Sequence, residues 1–280
     1  MFVVGDGVQD DTREALEQFD SDERVRFFDL PKAERHGERH RHEVLQESSS
    51  PIVCYLSDDD VLLPWHVADM RALLDDADFV HAMPALVEPD GVLVYRPADL
   101  SRPEFRELIR LGRNNFISLT GAAHTRALYD RLPYGWRPAP PGTPTDLNMW
   151  TQVFSLPDVR GATGRRLSAI HFPNPTWRTV KDEVRLAELE SWLERGLRPD
   201  GEQQLTSVFD DSIRRAAQDF KLRSLRLSGE LTETARALER ARTPLWTKLA
   251  RGVLRFPPAR ALRERLRGRT IRPSSTSRTG

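Results

Sequence analysis

Three consecutive aspartates, Asp58, Asp59 and Asp60, follow Ile52 to Leu56, a short apolar run whose strand formers mark a buried strand. Carboxylates stacked at the mouth of such a strand repel one another, and a divalent cation removes that cost. Mg²⁺ and Mn²⁺ are hard ions that favour carboxylate oxygen. Pro64 suits the first turn of a helix, so the order is strand, acidic tip, helix, a place to hold a metal and a phosphate. An acidic loop capping the next helix is the alternative. A second acidic strand end, Asp6 in Gly5-Asp6-Gly7, follows Phe2 to Val4, with an Asx turn as its simpler role. Asp146 stands near the start of a further helix, where the helix dipole favours a negative charge.

The elements that must position these residues alternate along the chain. Phe2 to Val4 is expected as an interior strand, Thr12 to Phe19 as a helix, Val25 to Leu30 as a strand and His36 to Gln46 as a basic helix. The strand ending at Leu56, a helix from Trp65 to Leu74 and a strand around Phe79 to Met83 follow. Such alternation predicts an α/β fold with a doubly wound, mostly parallel sheet, in which ligands gather beyond the carboxyl ends of the strands. Asp6 and Asp58 to Asp60 lie at two such ends. Pro89-Asp90-Gly91 between apolar pairs predicts a hairpin over 86 to 95. Pro103 to Leu111 is expected as a helix and Phe116 to Ala123 as a strand broken at Gly121. Tyr134 to Pro144 is too rich in Pro and Gly for regular structure and reads as a loop or lid. Helix formers run from Asp146 to Phe154, and Arg166 to Phe172 is the last strand-like run.

Composition narrows the classes. Of 280 residues 39% are apolar and 30% charged, enough for one large α/β domain with appendages. Formal net charge is zero, but from Arg240 onward there are 12 Lys or Arg against the single acidic Glu264. The first 239 residues therefore hold 30 basic and 41 acidic residues. A lone cysteine, Cys54, excludes an internal disulfide and fits a reducing cytosol. No apolar run approaches membrane-spanning length, and no signal-peptide pattern is present.

The stretch FVVGDGVQDDT, the basic segment Gly37 to His42, YLSDDDVLLP and TDLNMWTQVF, in this order and at this spacing, resemble bacterial family 2 glycosyltransferases of the GT-A fold. The resemblance covers residues 2 to 178. It implies a nucleotide-diphospho-sugar transferase-like sheet that here lacks the family's usual first strand and helix, for which the expectations are a start codon assigned too late, the favoured one, or a truncated, inactive copy. Ser57 and His42 stand where relatives often have Asp and Asn. Residue by residue, the resemblance implies that Asp6 receives the nucleobase edge and that Arg41 approaches the nucleotide. It further implies that Asp58 and Asp60, with Asp59 in the same cluster, hold Mg²⁺ or Mn²⁺ at the donor's diphosphate. His171 resembles a late histidine that reaches the metal in some relatives, and Asp146 looks like the general base. Simpler roles stand beside these: a solvated helix face for Arg41, a packed or solvated strand end for His171.

The implied chemistry is a metal-dependent, inverting transfer of a sugar from a nucleotide-diphosphate sugar to a hydroxyl acceptor, as in bacterial surface polysaccharide or glycolipid synthesis. The acceptor would be a glycan, a lipid-linked or another hydroxyl. A Mg²⁺-dependent phosphohydrolase or phosphotransferase is one rival, since DDDVL also fits Asp-x-Asp after a strand, and a non-catalytic scaffold is another. Three regions are expected: a glycosyltransferase domain over 1–178, a helical extension over 179–242 and a basic amphipathic tail over 243–280. In the extension, Asp182 to Leu197 and Leu205 to Leu238 read as helices with a packing or self-association face. In the tail, Leu245, Leu249, Val253 and Phe256 recur at helical spacing beside Lys248, Arg251 and Arg255. That pattern suits an anionic membrane surface, giving a cytoplasmic protein peripheral on the inner face of the plasma membrane. A solvated or partner-binding tail is the alternative, and no nucleic-acid recognition module accompanies the charge.

Overall fold

A computed structural model of the chain describes all residues except 84, 90, 92, 96, 97, 174–176 and 243–280. Its first elements are β1 (Phe2–Asp6), α1 (Asp10–Glu17), β2 (Arg26–Leu30) and α2 (Glu38–Gln46). β3 (Ile52–Cys54), β4 (Val61–Leu62), α3 (His66–Leu74) and β5 (Phe79–His81) come next, then the hairpin β6 (Ala85–Val87) and β7 (Leu93–Tyr95). α4 (Pro103–Arg110), β8 (Ala122–Thr125), α5 (Arg126–Asp130), α6 (Thr145–Ser155), β9 (Gly161–Thr163) and β10 (Ala169–Ile170) complete the mixed α/β part. The chain ends in α7 (Asp182–Leu197) and the 42-residue α8 (Gly201–Arg242).

The central sheet runs β3-β8-β5-β9. β8 is antiparallel to both β3 and β5, while β5 and β9 are parallel, so three of these four strands share a direction. β1 and β2 form a parallel pair of their own, and β4 pairs antiparallel with β10. The strand expected over 116 to 123 starts only at Ala122. Gly121 sits at φ +84, where an added Cβ would press against Ala82 and Ala169 at 3.1 and 3.2 Å, so the chain turns there before pairing. β1, expected in the interior, buries Gly5 alone, and α1 buries nothing.

The core forms where the helical and strand periods meet. Leu147, Met149, Trp150, Val153 and Phe154 recur at helical spacing along α6 and are all buried. They pack on the sheet through Phe79, whose ring lies 4.8 Å from that of Trp150 and 5.4 Å from that of Phe154, both edge to face. The loop over 134–144 is irregular, yet Trp136 drives its ring into this core, 5.5 Å from Trp150 and 5.6 Å from Tyr55. A second core joins Val61, Leu63, Val87, Ile170 and Trp177 to Trp192 of α7 and to Leu205 and Phe209 of α8. Two compact units result, Met1–Gln218 and Asp219 onward. The boundary expected near residue 178 thus meets a core that continues into both C-terminal helices. Among the described residues no helix is long and apolar enough to cross a membrane.

Candidate active site

Asp60 is the best-fixed member of the acidic run. Its side chain has no solvent exposure, and its carboxylate accepts hydrogen bonds from His171 Nδ1 at 2.9 Å to each oxygen and from the Phe172 amide at 2.8 Å. The antiparallel pairing of β4 with β10 brings these two distant segments together, just after the acidic run and just before His171. The backbone of His171 is held too: its amide donates to Ala85 O at 2.9 Å, and its carbonyl accepts from Val87 N at 3.0 Å. Burial disfavours the charged imidazole, but the bond to Asp60 and the charges of Asp60, Asp59 and Asp146 outweigh it and raise the His171 pKa.

Asp59 points elsewhere. Burial, followed by the charges of Asp60 and Asp58, raises its pKa, and its nearest cation is Arg185 of α7 at 3.8 Å. A carboxyl group pushed toward neutrality by like charges is a position where a cation would be stabilising. Among the described residues no three His, Cys, Asp or Glu side chains close around a single point. Mg²⁺ usually takes one or two carboxylates together with phosphate oxygens, so Asp58 and Asp59 fit that mode without a full protein cage. Just upstream, the Ser57 amide donates to Thr120 Oγ1 at 2.9 Å, tying the tip of β3 to the turn before β8.

Asp146 lies in the first turn of α6. Burial raises its pKa, opposed by the charges of Arg41 and His171 and by the Leu119 amide. Arg41 of α2 is itself desolvated, and Asp146, Glu38, Tyr55 and Asp6, in that order, support its charge. Its guanidinium lies 4.9 Å from the Trp136 ring centroid and donates through Nη2 to His36 O at 2.8 Å. Its buried Nη1 has no hydrogen-bond partner among the described residues. At the end of β1, Asp6 accepts from Lys32 Nζ at 2.6 Å and from the Ala33 amide at 2.5 Å. Burial alone would raise the Asp6 pKa; these bonds and the nearby positive charges lower it.

Asp6, Arg41, Asp146, His171, Asp60 and Asp59 therefore form a continuous chain of electrostatic neighbours drawn from five separate segments, and Asp58 adjoins Asp59. Sequence reasoning missed several residues that hold this chain in place. Glu38 is 1% exposed; it accepts from Thr145 Oγ1 at 2.8 Å and from the His36 amide at 3.0 Å, joining the start of α2 to the start of α6. Lys32 and Arg185 were missed for lack of any motif. Glu38 had a faint signal, an acidic residue opening a helix directly after Gly37. A small cleft lined by Met83, Ile117, Ser118, Thr120 and His171 opens beside the site.

Residues 1–134 match the model of a known family, described as glycosyl transferase family 2. No curated protein matches the chain. Among solved structures the chain is similar to the crystal structure of S. aureus TarS 1-349, at 15% identity and a TM-score of 0.46, over 74% of this chain and 60% of that one. It is also similar to TarS 1-349 in complex with UDP-GlcNAc, at 14% identity and a TM-score of 0.46, over 76% and 62%. The chain thus spans about three fifths of the solved structures it resembles.

Proposed function

We propose, on the premise that residues 1–134 form a glycosyl transferase family 2 domain, that this protein transfers a sugar from a nucleotide-diphosphate donor to a hydroxyl acceptor with inversion. The observation that carries the reading is the convergence of Asp146 with Arg41 and His171 beside the Asp58–Asp60 run. A structural acidic surface needs no such meeting of a buried carboxylate, a buried guanidinium and an imidazole.

Asp58 and Asp59, with His171 oriented by Asp60, are the groups that would hold Mg²⁺ or Mn²⁺. Such an ion supplies Lewis-acid stabilisation of the charge that develops on a departing diphosphate. In this reading Asp60 orients His171, because its two oxygens are already occupied by His171 and the Phe172 amide. Arg185 brings positive charge to Asp59 at 3.8 Å, and Arg41 brings it to Asp146. Asp6, held by Lys32 and the Ala33 amide, keeps a full negative charge suited to accept from the edge of a nucleobase. Asp146 takes the proton of the attacking hydroxyl. Its raised pKa makes it a stronger base than a solvated aspartate, while Arg41 and His171 keep it ionised. One base on one face, with the diphosphate leaving from the other, inverts the anomeric carbon. A glycan or lipid-linked hydroxyl is the acceptor in this account. The membrane contact proposed for residues 243–280 falls outside the described residues.

A donor panel that includes UDP-GlcNAc, incubated with the full chain and Mn²⁺, tests the reading through release of the nucleoside diphosphate. Release that depends on Mn²⁺ and is lost in Asp146→Asn supports it. Release of inorganic phosphate from simple phosphoesters, with every nucleotide sugar left intact, points instead to a phosphohydrolase.

A further inference from the structure

Arg185 stands beside the acidic run with its hydrogen-bond donors uncommitted. It lies one turn into α7, and its guanidinium is 3.8 Å from Asp59 Oδ2 and 3.6 Å from Asp182 Oδ1. Both separations exceed hydrogen-bond length, and among the described residues the side chain makes no hydrogen bond. An ion pair built for structure looks different in this protein. Arg166 grips Asp69 with two bonds, Nε to Oδ2 at 2.7 Å and Nη2 to Oδ1 at 2.5 Å. Arg185 has no such grip on Asp59, yet only 30% of its side chain is exposed.

The fold fixes this placement. α7 buries Trp192 and Gly196. Trp192 packs with Val61 and Leu63 in the second core, and a Cβ added at Gly196 would meet Leu63 Cδ2 at 2.8 Å. Leu63 follows Asp60 by three residues, so the helix that carries Arg185 is seated on the segment that carries the acidic run.

Charge decides what such a cation can take. Flanked by Asp59 and Asp182, Arg185 has no net field to attract an anion by itself. With Asp58 and Asp59 occupied by a divalent cation, the nearer carboxylate is neutralised and the guanidinium is left to an anion held on that cation. Phosphate is the anion that hard divalent ions and the planar guanidinium fork both bind. We infer that Arg185 binds the donor's diphosphate once the acidic run holds its cation, which makes α7 a wall of the site. The inference rests on the glycosyl-transfer reading and adds to it a residue outside the segment that matches the family.

Calorimetric titration of the full chain with a panel of nucleoside diphosphates, with and without Mn²⁺, compares wild type, Arg185→Gln and Arg185→Lys. In Mn²⁺, Arg185→Gln is expected to bind the diphosphate about 10–100-fold more weakly than wild type, the loss of charge-assisted hydrogen bonds. Without the metal the two should not differ. Arg185→Lys keeps the charge but not the fork and should fall between them. Mn²⁺ alone, followed by electron paramagnetic resonance, should bind Arg185→Gln at least as tightly as wild type, because a competing cation has gone. Thermal midpoints should agree, since no hydrogen bond is removed. Equal diphosphate affinity in wild type and Arg185→Gln would overturn the inference and leave the glycosyl-transfer reading standing. So would weaker binding of Mn²⁺ alone by Arg185→Gln, which would show that Arg185 acts through Asp59. A wild type that binds no diphosphate in Mn²⁺ would overturn both.

Discussion

The environments of Asp146 and His171 push both residues in definite directions. Asp146→Asn keeps the shape of the site and removes the base. It should lower kcat by about 10²–10⁴-fold while donor affinity stays near the wild-type value, as steady-state kinetics with a competent acceptor would show. A matching loss of donor affinity would mean that Asp146 binds rather than catalyses. His171 depends on Asp60. Its folded pKa is raised, so the stability that the pair contributes is fully present below about pH 6.5 and is lost as pH rises through the folded value. In Asp60→Asn the burial penalty remains and the counter-charge is gone, so the imidazole should titrate below its wild-type value in an NMR pH series. An unmoved titration would show that another group holds the ring.

Elements, not motifs, decide how firmly the site is seated. Tyr55, beyond the end of β3, accepts from Trp136 Nε1 at 2.9 Å and bonds His124 Nε2 at 2.7 Å, while His124 Nδ1 donates to Thr125 O at 2.9 Å. The network closes with His124 neutral: Tyr55 O–H donates to Nε2 and its oxygen receives the indole. It ties β3, β8 and the 134–144 loop together, and the Arg41 guanidinium lies 4.9 Å from the Trp136 ring centroid. Tyr55→Phe strands a buried indole N–H and an imidazole nitrogen, and should cost about 1–3 kcal/mol in urea unfolding. A cost near zero would mean that water or a shifted ring replaces the hydroxyl. Little of this was legible beforehand. Strand and helix periods marked β1, β2, β3, β5, α6 and α7 because their apolar residues repeat locally, while the two-residue β4 left no such pattern. The Tyr55–His124–Trp136 network joins residues up to 81 apart, and no local pattern records such a contact. The acidic run was legible as a site, but the special position of Asp60 was not. Its partners His171 and Phe172 follow β10, more than 100 residues away, and the β4–β10 pairing with the backbone bonds of His171 to Ala85 and Val87 places them.

For the molecule as a whole, three buried histidines set the response to acid. Burial pushes His66 down to about 4, His81 to about 3 and His124 to about 4. A histidine whose folded pKa is depressed favours the native state above its unfolded value and loses that advantage as pH falls. Each then costs up to about 1.4 kcal/mol per pH unit between roughly pH 6.5 and its folded value. Together they can consume much of a typical domain's stability by about pH 5. Chemical unfolding should therefore show midpoints that fall steeply from pH 7 to pH 5, with a shallower fall in a His81→Gln variant that still folds. A flat profile would show that these rings are solvated or paired with acids in solution. At this scale too, residues contributed by separated segments are expected to form one donor site. Calorimetric titration of the full chain with a panel of nucleoside diphosphates, with and without Mn²⁺, tests it most directly when Asp59→Asn and Asp146→Asn are run beside the wild type. Mn²⁺-dependent binding of at least one nucleotide is expected for the wild type and for Asp146→Asn, and its loss in Asp59→Asn. Equal heats with and without the metal, or in Asp59→Asn and wild type alike, would contradict it.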